Sequence, residues 1–94
     1  SMKKHLLLYF FLLGVPHLYA QTLIKDCKTQ QPISNVIIYN AVNSQVIGTT
    51  DSEGKVDLPP SIQDVVLIHP VYGTIPTMNQ PVICMNELLN NIII

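Results

Sequence analysis

Gly48-Thr49-Thr50-Asp51-Ser52-Glu53-Gly54-Lys55-Val56-Asp57-Leu58 is the stretch that decides the fold. Strand-type residues stand on either side of the short run Asp51-Ser52-Glu53-Gly54. An Asp side chain accepts hydrogen bonds from backbone N–H groups two or three residues on, and a Gly takes the left-handed conformation that ends a type I turn with a bulge. Asp51 and Gly54 therefore predict a structural hairpin turn. Such a turn fixes the register of the two strands and decides which side chains face the core.

Outward from that turn the same texture continues. β-branched runs lie at Thr22–Lys25, Asn35–Tyr39, Gln45–Thr50, Lys55–Leu58, Asp64–His69, Tyr72–Ile75 and Pro81–Met85. Between them stand Gln31-Pro32, Asn40, Asn43-Ser44, Pro59-Pro60, Pro70 and Pro76, the residues that interrupt ladders and make turns. Each run is strand length, and several alternate apolar with polar as half-buried strands do. The pattern predicts an all-β chain, a seven-stranded antiparallel β-sandwich over residues 21–85, with 86–94 as a C-terminal linker or edge strand.

Residues 1–20 read differently. Ser1 ahead of Met2 reads as a cloning scar. Lys3 and Lys4 precede an apolar run from Leu6 to Val15, a Gly14/Pro16 break, and a tail ending in Tyr19-Ala20. That is the layout of a helical secretory signal peptide with cleavage after Ala20. A membrane span needs about 20 apolar residues, roughly twice this run. Leu18 is bulkier than the usual residue before such a cut. The expectation from this layout is an exported chain, without membrane insertion of the mature domain.

Charge narrows the partners. All 6 acidic residues lie past Ala20, against Lys25, Lys28 and Lys55, and the chain has no arginine. A mildly acidic surface lacks the clustered cations that neutralise phosphates, which argues against nucleic acid. The polybasic patch of an anionic-membrane binder is missing too.

With the hairpin in place, Asp26, Thr29-Gln30-Gln31-Pro32-Ile33-Ser34-Asn35-Val36 and Gly48–Leu58 together resemble the carboxypeptidase regulatory-like domain. That family opens with an xD-xxT-xxPI-xxVxV pattern and continues into a GTxTDxxGxFxL hairpin. The resemblance implies a transthyretin-like, Greek-key sandwich. It also implies the N-terminal position, after an export signal, of a TonB-dependent outer-membrane receptor or related surface protein. Glu87–Ile94 is similar to the LxEVVV linker that often follows such a domain. Two departures stand out: Val56 replaces the usual aromatic, and Tyr72-Gly73 reverses the usual Gly-Tyr order.

Candidate chemistry is sparse. Cys27 and Cys84 are the 2 cysteines. In an oxidising compartment they form a disulfide, or they are two buried free thiols, and the sequence leaves both open. A bridge closing the roughly 58-residue loop stabilises by about 4 kcal/mol in the chain-entropy model. A catalytic Cys–His pair with His69 needs an electropositive pocket that so few cations cannot build. Asp51, Glu53 and Asp57 suggest calcium, but the EF-hand Gly and Glu positions counted from Asp51 hold Val56 and Ile62. No catalytic residue, cofactor or metal site is expected. The function expected is a non-catalytic accessory module that contacts a neighbouring domain or cell-envelope protein. The alternative is a free-standing secreted binding protein for a small ligand or carbohydrate.

Overall fold

The computed structural model describes residues 20–88. They form seven strands: β1 Ala20–Asp26, β2 Ile37–Asn40, β3 Val46–Thr49, β4 Lys55–Leu58, β5 Asp64–His69, β6 Gly73–Met78 and β7 Val82–Met85. Two sheets result, one of order β4-β1-β7 and one of order β3-β2-β5-β6. The chain is all-β, as the run of turn-bounded β-branched segments predicts. The signal-peptide reading of residues 1–20 lies outside the described residues, except Ala20, which opens β1 opposite Leu58. The Ile92-Ile93-Ile94 end of the 86–94 segment lies outside them as well.

The core sits between the sheets. Ile24, Val56, Leu58, Ile83 and Met85 enter it from one side and Ile38, Val65 and Leu67 from the other, with Ile33 and Val36 closing it from the β1–β2 connection. β1 shows how the sequence builds this layer: Thr22, Ile24 and Asp26 are buried while Leu23 and Lys25 stand half-exposed. Side chains alternate across a strand, so the parity of Ile24 is buried, and Thr22 and Asp26 enter with it as hydrogen-bonded polar groups.

Three sequence expectations change. First, the sheets are not wholly antiparallel, because β1 and β7 pair in parallel, Leu23 opposite Val82 through Asp26 opposite Met85. The chain turns back an even number of times between them, so where they meet they run the same way. Second, Pro76 lies inside β6, opposite Val66, where a break was expected. β6 is an edge strand, and a missing donor on a free edge costs no ladder bond. Third, Asp51 and Gly54 close a turn but not a hairpin ladder. β3 pairs with β2 and β4 pairs with β1, so the turn carries the chain from one sheet to the other.

The turn itself is tightly bonded. Asp51 Oδ1 accepts the N–H groups of Glu53 at 2.8 Å and Lys55 at 2.9 Å. The Gly54 N–H donates to the Asp51 carbonyl at 2.9 Å. Gly54 has φ +75°, and a Cβ there would stand 2.5 Å from the Ile24 carbonyl oxygen. Thr50 holds the turn to the β1–β2 connection: buried, its hydroxyl donates to the Ile33 carbonyl and accepts the Val36 N–H. Where β3 meets β4, a Cβ on Gly48 would lie 2.6 Å from Val56 Cγ2. Val56, smaller than an aromatic, is thus met by bare backbone from the facing sheet.

Candidate interaction face

The opposite parity of the four-stranded sheet faces outward, and it is apolar apart from Thr49, Asp64 and Thr74 at its margins. On β2, Ile38 is buried while Ile37 and Tyr39 point away from the core. On β5, Val65 and Leu67 are buried while Val66 and Ile68 point away. The register sets Ile37 beside Ile68 and Tyr39 beside Val66, so the four side chains form a block across the two central strands. Val46, opposite Tyr39, extends it to β3, and Pro76, opposite Val66, and Met78 extend it to β6. Val46 is 57% and Met78 60% exposed, a high value for apolar side chains at both margins of one face.

A recess of about 250 Å³ indents this face, lined by Tyr39, Val66 and Ile68 with Asn40, Ala41 and Ser44 from the end of β2 and the loop after it. The lip is shaped by local bonding: Asn40 Oδ1 accepts the Val42 N–H at 2.9 Å, and Asn43 Oδ1 accepts that of Gln45 at 3.0 Å. Sequence reasoning missed the face. The signal was there in Val65-Val66-Leu67-Ile68 and Ile37-Ile38-Tyr39, which do not alternate. A strand apolar at both parities has a second face to cover.

A second cluster lies at the end of the sandwich where β1 stops. Asp26 is buried, and its Oδ1 accepts the N–H groups of Lys28 at 2.7 Å and Thr29 at 3.0 Å while Oδ2 accepts the Tyr72 hydroxyl at 2.7 Å. The Thr29 backbone bond, then the Tyr72 bond, hold its carboxyl below the ordinary 3.8 against an opposing effect of burial. Tyr72 is pushed up to about 12, by burial first and then by its bond to Asp26. A phenol held protonated against an ionised carboxylate is a strut, with no proton in transit near neutral pH. His69 meets the Tyr72 ring edge-on at 5.2 Å, and its Nδ1 accepts the Val71 N–H at 3.1 Å. Nothing in the sequence pointed to the Asp26–Tyr72 pair.

Cys27 and Cys84 are joined, with Sγ–Sγ 2.03 Å and Cα–Cα 4.7 Å, on the outer side of the β1–β7 pair. Neither sulfur is a thiol available to His69. Asp51 Oδ1 is occupied by the backbone, and its carboxyl is held below the ordinary value chiefly by the Lys55 N–H. Among the described residues no three of His, Cys, Asp and Glu gather as a metal site, and no helix is long and apolar enough to cross a membrane. No protein-family model, curated protein or solved structure matches this chain.

Proposed function

We propose that this chain is a non-catalytic accessory module of an exported, outer-membrane-associated protein, acting by contact with a neighbouring domain or envelope partner. The observation that carries the reading is the apolar outer face of the four-stranded sheet. A small domain whose second sheet face is built from Ile37, Tyr39, Val66 and Ile68 gains by covering it, and exposed apolar patches of this kind mark association sites. The resemblance of Asp26, Thr29–Val36 and Gly48–Leu58 to the carboxypeptidase regulatory-like domain supports the envelope setting and the N-terminal position in a receptor-like protein. The strand sequence β1, β4, β3, β2 around the sandwich is in keeping with a Greek-key, transthyretin-like arrangement.

The recess gives the second reading, a free-standing secreted binder of a small ligand or carbohydrate, its one support. With Tyr39 as its single aromatic wall it ranks behind the contact module.

The test is fractionation of producing cells combined with photo-cross-linking from a reactive residue placed at Tyr39, or at Asp57 on the other sheet. The chain is expected in envelope fractions with covalent adducts from position 39 alone. Retention in the cytosol, or adducts equal from both positions, would sink the proposal.

A further inference from the structure

We infer that the partner of the apolar outer face is the same face of a second copy of this chain. This rests on the contact reading above and names the occupant. The central block consists of branched aliphatics in directly opposed pairs, Ile37 with Ile68, together with Tyr39 beside Val66. A pleated surface of that kind is complemented by another pleated apolar surface about 10 Å away, the packing that forms the chain's own interior.

Charge selects among such surfaces. Among the described residues, Asp64 at the margin is the single charged side chain on these rows. Asp57, Lys25 and Lys55 stand on the other sheet, and Asp26, Lys28, Asp51, Glu53 and Glu87 at turns and ends. An acidic molecule approaching its own copy meets least repulsion here, and charge depletion is the mark of an interface centre. A two-fold arrangement makes the patch its own complement.

Size sets the strength. Strands about 4.8 Å apart, and residues about 3.4 Å apart along them, give a flat face on the order of 300 Å². A standard interface takes roughly 800 Å² from each partner. The pairing is therefore weak and concentration-dependent.

Sedimentation velocity of the full chain from about 1 μM to about 1 mM, the span open to weak contacts, tests this. The expected mass rises from one 10.5 kDa chain towards two. Val66→Glu and Val66→Lys, each alone, are expected to weaken the association at least about tenfold by burying an unpaired charge. Mixing the two variants restores it, and Asp57→Lys leaves it unchanged. Circular dichroism checks that each variant folds. Should Val66 variants fail that check, the pair Thr49→Glu and Thr49→Lys, at an exposed position on the same face, replaces them.

A single-chain mass at every concentration, or a dimer indifferent to these charges, overturns the inference. A single chain whose position 39 still cross-links to a different envelope protein overturns the second-copy assignment and leaves the contact reading standing. No adduct from position 39 of any kind removes both.

Discussion

Asp26 ties three parts of the chain together through one carboxylate: the end of β1, the Lys28–Thr29 turn and Tyr72 between β5 and β6. Its carboxyl, like that of Asp51, is held below the ordinary 3.8. A lowered folded-state value means the unfolded chain binds the proton more readily. The stabilisation is complete above the unfolded value and is lost as pH falls through the folded one. Tyr72, raised from 10.0 to about 12, works in the other direction: its contribution is whole below pH 10 and is lost as pH rises towards 12. Thermal unfolding against pH is expected to show both limbs, with Asp26→Asn flattening the acid one and Tyr72→Phe the alkaline one. Limbs unchanged in these variants would contradict the strut. Gly54→Ala forces a positive-φ position to carry a Cβ 2.5 Å from a carbonyl oxygen. The expected loss is about 1–3 kcal/mol or more, measured by denaturant unfolding. Asp51 and Gly54 were legible because a turn is local. The Asp26–Tyr72 pair was not, since its members lie 46 residues apart and meet only after the sheets pack.

Strand positions follow the sequence closely, because β-branched runs and prolines state them directly. Lys55–Leu58 and Asp64–His69 are predicted and found at the same bounds. What local pattern does not encode is which strand pairs with which. The Asp51–Gly54 turn looks the same whether its flanking strands bond to each other or part into two sheets. Thr50 decides for parting, through side-chain bonds to Ile33 and Val36, residues that no hairpin reading brings near it. The two cysteines hinted that β1 and β7 are neighbours, but their parallel direction was likewise invisible, and the disulfide fastens the pair: Cys27 and Cys84 close β7, a four-residue edge strand, onto β1. Cys84→Ser in the full chain is expected to cost about 2–5 kcal/mol, with reductant lowering the parent's melting temperature to match. Equal melting with and without reductant would show that β7 holds without its clasp.

At the scale of the molecule, the three-stranded sheet carries most of its charge outward and the four-stranded sheet almost none. That asymmetry separates a charged outer face from an apolar one, and the proposed contact role rests on it. Composition alone hid it, since the apolar residues of the core and of the outer face are of the same kinds. Adjacent residues of β5 separate the two directly. Val65 is 1% exposed in the core, and Val66 points out beside Tyr39. Val65→Glu is expected to cost more than about 4 kcal/mol by burying a charge without a partner. Val66→Glu is expected to stay within about 1 kcal/mol of the parent, as surface substitutions do, while abolishing cross-linking from position 39. Denaturant unfolding of the two variants side by side, with the cross-link as second readout, is the most direct test. A Val66→Glu chain that folds and keeps the adduct, or a Val65→Glu chain as stable as the parent, would contradict the account.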